Sequence, residues 1–388
     1  MQQFQSAMTQ LECPECSRLF DANTVQTFCP DCSGPLFAVY DLSAAKLTLT
    51  HASLSQRPVG IWRWTEILPV RAPAFRLTLG EAGTPLLKAD SLGARLGLNS
   101  LYIKDEAHGP LGSLHARGML ISVARGLELG TRDFVLAAAG SDGAALAAYA
   151  ARARAHAHIY MPRDASLPDQ IALKTLGADL VLVDGHISDA AQLADEAAHL
   201  HGWLDVSPFR EPYRCEGTKS IGLELAEAFD WELPDVIVVP TGSGLGLMGI
   251  WKAFAELEQM GFIGSYRPRM VVVQSLGCAP LVRAFEQKDL RAQFWHPVHT
   301  GATGLRVPEV FADRPLLRAL RASNGVAVAV SDEDILNSQR EMAVYEGIFA
   351  APEGAASLAA ARQLIAAGEI GGQERVVLVN SGSGLNYL

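Results

Sequence analysis

Short runs rich in valine, isoleucine and leucine recur along this chain, and longer alanine-rich stretches with apolar residues at helical spacing separate them. The runs at 101–104, 133–138, 157–161, 179–183, 236–239, 270–274, 325–330 and 375–380 predict strands. The stretches at 144–154, 190–201, 222–229, 248–259, 332–345 and 355–367 predict helices. Strands alternating with helices predict an α/β architecture with largely parallel sheets. In such folds, ligands collect at the carboxyl ends of strands, where the loops begin.

One of those loops is rich in glycine. After the 236–239 run and Pro240 come Thr241, Gly242, Ser243, Gly244, Leu245 and Gly246, followed by the helical LMGIWKAFAEL. The amides of such a turn, with the positive end of the next helix, suit a phosphate. A tight turn is the plainer account; the strand before and the helix after favour the phosphate.

Composition narrows the class. At 388 residues, 49% hydrophobic and 19% charged, the chain can form two domains and a small appendage. A net charge of -10 argues against nucleic acid or an anionic membrane as a partner. The opening MQQFQSAMTQ lacks an apolar signal core, and no apolar stretch approaches about 20 residues. A soluble, cytoplasmic protein acting on small molecules is expected.

Cysteine adds a metal. Cys13-x-x-Cys16 and Cys29-x-x-Cys32 have the spacing of a zinc ribbon over residues 10–41, with four thiolates on one closed, structural zinc. Two disulfides are the other account, disfavoured in a reducing compartment. Cys215 and Cys278 are isolated and suit small buried positions.

Longer motifs carry a resemblance. Lys104 to Met119 reads KDEAHGPLGSLHARGM and resembles the KDE…P-T-G-S-F-K-D-R-G-M segment of threonine synthases, fold type II enzymes dependent on pyridoxal phosphate (PLP). LGEAGTPL at 79–86, the loop and helix at 240–257, VVVQSLGCAPLVRAFE at 271–286, GLRVP at 304–308, EGIFAAPEGAA at 346–356 and the terminal NSGSGLNYL are also similar to that family. The resemblance implies a tryptophan synthase β-like, two-domain α/β fold with the ribbon as prefix. It further implies a large domain from 42–112 and 213–388, and a small inserted domain from 113–212. By the same resemblance Gly242, Ser243, Gly244, Leu245 and Gly246 wrap the PLP phosphate, and Ser381 meets the pyridine nitrogen. Relatives are often dimers, and a homodimer is left open.

The aldehyde end departs from the family. Where F-K-D-R-G is expected the chain has Leu114-His115-Ala116-Arg117-Gly118, so His115 stands at the position of the Schiff-base lysine. Where S-S-G-N-T-G is expected it has Ala138-Ala139-Gly140-Ser141-Asp142-Gly143. Only a primary amine anchors PLP stably as a Schiff base, so any PLP held here is expected to be non-covalent. A carboxylate from Asp142 about 4 Å from a substrate carboxylate would cost roughly 4 kcal/mol at an effective dielectric of about 20, or about three orders of magnitude in affinity. Phosphohomoserine is therefore expected to bind poorly. The plainer account has Asp142 facing solvent or capping the helix that starts near Gly143.

His115 also has two accounts. It either fills space at a dead position, or serves as a general base worth about 10²–10⁴-fold. The resemblance implies that residues 115 and 142 face one cofactor cavity. A carboxylate orienting a histidine is a recurring catalytic device, so His115, Asp142 and the neighbouring Ser141 are the catalytic candidates. Three functions follow. The first is an enzyme holding PLP, or a PLP–amino acid adduct, without covalent anchor, and catalysing a lyase-like reaction other than threonine synthesis. The second is a PLP-independent enzyme for another anionic molecule. The third is a non-catalytic sensor or partner subunit.

Overall fold

The computed structural model describes residues 4–185 and 187–388, so the first three residues of the opening MQQFQSAMTQ lie outside it. Its strands, in chain order, are β1 (Met8–Glu12), β2 (Leu19–Phe20), β3 (Phe37–Tyr40), β4 (Leu86–Lys88), β5 (Ser100–Asp105), β6 (Asp133–Ala137), β7 (His156–Pro162), β8 (Asp179–Val183), β9 (Leu204–Asp205), β10 (Val236–Pro240), β11 (Arg269–Ser275), β12 (Val326–Val330) and β13 (Arg375–Asn380). They form three sheets, ordered β2-β1-β3, β12-β11-β10-β13-β5-β4 and β8-β7-β6-β9. The chain divides into two compact units, Met1–Gly83 with His115–Ser220, and Thr84–Leu114 with Ile221–Leu388.

The second unit is built on the six-stranded sheet, parallel except for the edge strand β4. Parallel strands are covered on both faces, which is why VIVV in β10 and VVLV in β13 are apolar without alternation and wholly buried. Val236, Val238, Val271, Val273, Val376 and Leu378 pack with Ala355, Ala356, Leu358 and Ala359 of the helix Pro352–Ala366 in one core. The alanines let that helix lie close to the sheet. β10 and β13 are neighbours in register, so the loops that follow them leave the sheet at the same edge.

The first unit holds two sheets. The antiparallel β2-β1-β3 carries the cysteine knuckles, and the parallel β8-β7-β6-β9 forms an α/β layer with the helices Ser141–Ala153, Leu167–Thr175 and Ile187–His201. Residues 42–83, which the sequence grouped with the large domain, contact this unit. The Arg71 and Ala72 amides donate to the Glu128 carboxylate, and the Tyr149 hydroxyl donates to Glu81.

Two of the helices that differ from expectation carry candidate residues. His115–Glu128 was not predicted, because its polar start and its Gly118 and Gly126 mask the apolar period. Both glycines are packing requirements: a Cβ at 126 would press on the Phe134 ring, and one at 118 would lie 3.1 Å from the Arg214 carbonyl. The helix expected from 222 begins at Arg214. Its first two turns carry Arg214, Glu216 and Lys219, a polar sequence that reads as loop but is buried. No described helix is long and apolar enough to cross a membrane.

Candidate functional site

In the second unit the glycine loop follows β10. Gly244 is the residue before the helix Leu245–Met260 and has φ +88°, a left-handed conformation that favours glycine. A side chain there would run into Leu316, and one at Gly242 into the Gly304 carbonyl. The N-cap glycine makes no side-chain cap, so backbone amides are the donors at the positive end of the helix dipole. That is the chemistry of an anion cradle.

Ser381 follows β13 at the same sheet edge and is half-buried, its carbonyl accepting from the Leu114 amide at 3.0 Å. The end of β13 is pinned by Asn380, which donates to Asp105 of β5 at 2.7 Å. Lys104, also in β5, is 2% exposed and committed to Glu224 and the Thr84 carbonyl, both at 2.6 Å.

The remaining candidates lie in the first unit. His115 opens the helix His115–Glu128, while Ser141 and Asp142 open the helix that follows β6. The structure brings His115 and Asp142 together, with Nδ1 2.7 Å from Oδ1. A carboxylate accepts only, so this contact calls for a proton on Nδ1; in a neutral imidazole the lone pair is then on Nε2.

Sequence reasoning missed Arg214, which donates to Asp142 Oδ1 at 2.5 Å, has Nη2 3.5 Å from His115 Nδ1, and donates from Nη1 to the Val206 carbonyl at 2.8 Å. Its place is set from both sides. Glu211 accepts the Tyr213 and Arg214 amides at 2.6 and 2.8 Å, starting the helix. Gly217 lets that helix approach His115–Glu128 at backbone distance, since a Cβ would collide with the Arg117 carbonyl. The available signal was a charged residue directly preceding the buried CEGTKS run.

Burial works to raise the Asp142 pKa, but the Arg214 charge, then that of His115, and their hydrogen bonds outweigh it and hold the carboxyl below the usual range. Asp142 is therefore ionised and neutralised by Arg214. The repulsion of roughly 4 kcal/mol expected from a bare carboxylate does not apply. Lys219, a buried lysine of this unit, is spent on Glu216 at 2.5 Å and the Ile67 carbonyl at 2.6 Å.

The four cysteines form a separate cluster in which the ligand atoms all lie within 4.8 Å of one another. Cys13 and Cys32 sulfurs are 3.4 Å apart, Cys16 and Cys29 3.6 Å, and Cys16 and Cys32 3.8 Å, and none is in a disulfide. Zinc with bonds of about 2.3 Å to four tetrahedral sulfurs separates them by roughly 3.8 Å, so the set fits that metal. Each knuckle repeats one turn, with Ser17 and Ser33 amides donating to Cys13 and Cys29 carbonyls at 2.8 Å.

Residues 77–382 match the family described as pyridoxal-phosphate dependent enzyme. This chain belongs to that family. It is similar to the threonine synthase of Methanosarcina acetivorans, 34% identical over 382 residues that span 97% of this chain and 91% of the relative. The threonine synthase of Methanocaldococcus jannaschii is 33% identical over 374 residues, 96% and 92% of the two chains. Among solved structures, maize serine racemase superposes with a TM-score of 0.67 at 21% identity, covering 77% of this chain and 89% of that one. The processed form of threonine deaminase isoform 2 from Solanum lycopersicum gives 0.66 at 22%, covering 80% and 86%. This PLP-dependent enzyme family therefore accounts for the α/β fold.

Proposed function

We propose that the chain is a threonine synthase-like PLP-dependent enzyme with a diverged site, which holds PLP without a covalent anchor and uses His115 as acid and base on an amino-acid-type substrate. Gly242, Ser243, Gly244, Leu245 and Gly246 would hold the phosphate on their backbone, and Ser381 would meet the ring nitrogen. When bound, PLP supplies an electron sink for charge developing at a substrate Cα. Asp142 keeps the His115 proton on Nδ1, and Nε2 takes and returns the proton at that carbon. Arg214 holds Asp142 ionised and in place. The reaction is other than threonine synthesis, because His115 has no amine to offer. Cys13, Cys16, Cys29 and Cys32 would hold a structural zinc.

The His115 Nδ1–Asp142 Oδ1 contact of 2.7 Å carries the proposal, since it gives the imidazole an orienting partner that a space-filling histidine does not need. Calorimetric titration with PLP, followed by borohydride reduction and mass spectrometry, tests it. The expected result is reversible, stoichiometric binding with no adduct fixed on any lysine. Fixation on Lys104, Lys219 or another lysine would overturn the non-covalent site. Failure to bind at millimolar PLP would transfer the cavity to another anionic ligand.

A further inference from the structure

A second constellation sits on the small parallel sheet of the first unit. β6 begins with Asp133 and β7 with His156, and the register pairs these two residues directly. Side chains alternate along a strand, so His156 and His158 share one face of β7. Asp133 Oδ1 lies 3.0 Å from His156 Nδ1 and 3.2 Å from His158 Nε2, and the three ligand atoms all fall within 4.8 Å of one another. Tetrahedral ligands about 2.0–2.1 Å from a zinc ion are separated by roughly 3.3 Å, so two of the three spacings already suit the metal.

His158 is also supported from behind. Its other nitrogen, Nδ1, is 3.1 Å from Asp179 Oδ2 at the start of β8, where the register pairs the two residues. Its ring stacks on Trp203 with centroids 3.6 Å apart and planes 1° from parallel, and His201 stacks against the same indole. A carboxylate on the non-ligating nitrogen is the usual support of a metal-binding histidine, because it sets the tautomer and raises the basicity of the ligating nitrogen. His158 is 12% exposed and His156 71%, so one ligand is preset and the other closes from the solvent side.

We propose that Asp133, His156 and His158 bind one divalent first-row transition metal, with zinc the intended ion, Asp179 positioning His158 and water completing the shell. Two imidazoles and one carboxylate suit zinc, whereas magnesium and calcium select all-oxygen sets. The metal would tie β6 to β7, and through Asp179 to β8. The site shares no residue with the four cysteines or with the residues proposed to hold the cofactor. A His158 protonated on both nitrogens and bridging two aspartates would explain the same distances without a metal, and binding separates the two.

The experiment titrates the full-length protein with zinc, by calorimetry and by metal analysis after gel filtration. The wild type should bind one more equivalent than the His156→Ala/His158→Gln variant, and Asp179→Asn should weaken that equivalent about 10–100-fold without abolishing it. Asp179 is 68% exposed, so its variant serves even where the double variant folds poorly. Cobalt substitution identifies the equivalent: cobalt at the histidines adds visible bands without thiolate charge transfer. Equal stoichiometry in wild type and double variant, unchanged affinity in Asp179→Asn, or thiolate charge transfer on the lost equivalent would each overturn the proposal.

Discussion

Asp142→Asn keeps the shape of the side chain and removes the charge that holds Arg214 and His115. Arg214 is 1% exposed and has Asp142 at 2.5 Å and the Val206 carbonyl at 2.8 Å. An amide oxygen still accepts, so the cost approaches that of one charge-assisted hydrogen bond, about 1.5–3 kcal/mol, rather than the roughly 3–5 kcal/mol of stranding a buried charge. Asp142 is itself 22% exposed, which places the expected loss near 2 kcal/mol, toward the low end of that range. The pH dependence has a definite sign. Because the folded pKa lies below the ordinary 3.8, the contribution is fully present above that value and is lost as pH falls through the folded pKa. The Asp142 contribution to the stability gap between wild type and variant should shrink as pH falls below about 4. Arg214→Met removes the other charge, and the double variant should cost less than the sum of the singles by about 1–3 kcal/mol. Urea unfolding at several pH values, with hydrogen exchange in the helix Ser141–Ala153, reads both effects. Additivity within about 0.5 kcal/mol, or a gap that widens as pH falls below about 4, would refute the ion-pair assignment.

Three further outcomes are expected. Protein purified without added zinc should carry zinc that Cys13→Ser/Cys16→Ser removes, with loss of β2-β1-β3 protection in hydrogen exchange; four thiols recovered as two disulfides would contradict this. Gly244→Val should abolish PLP binding by calorimetry, because φ +88° and Leu316 leave no room for a branched side chain; binding within about threefold of wild type would place the phosphate elsewhere. His115→Lys alone should not release phosphate from phosphohomoserine, because Ala116, Ala138, Ala139, Ser141 and Asp142 remain and groups acting as a unit are not restored singly. Robust turnover by that variant would make the other changes neutral.

Residues whose role is local were legible in the sequence. The 179–183 and 375–380 runs are strands at those bounds, because fully apolar segments bounded by polar residues have one compact solution. The cysteine knuckles were legible from spacing alone. Arg214 was not, since its value depends on Asp142, seventy-two residues away in sequence, and on a helix contact that only Gly118 and Gly217 permit. For the same reason the electrostatic cost assigned to Asp142 was wrong: a carboxylate read without its partner looks repulsive. His158 was read only as part of the 157–161 strand and His156 lay outside it, because Asp133 and Asp179 come from separate strands and meet them through the sheet register.

The central claim is that His115 moves a proton at the substrate Cα without a lysine. Exchange of the α-hydrogen of amino acids in deuterated buffer with saturating PLP, followed by NMR, measures that step directly. Wild type should exchange at least one amino acid about 10²–10⁴-fold faster than His115→Gln, with Asp142→Asn intermediate and PLP affinity unchanged in both. Equal exchange by wild type and His115→Gln would contradict the account.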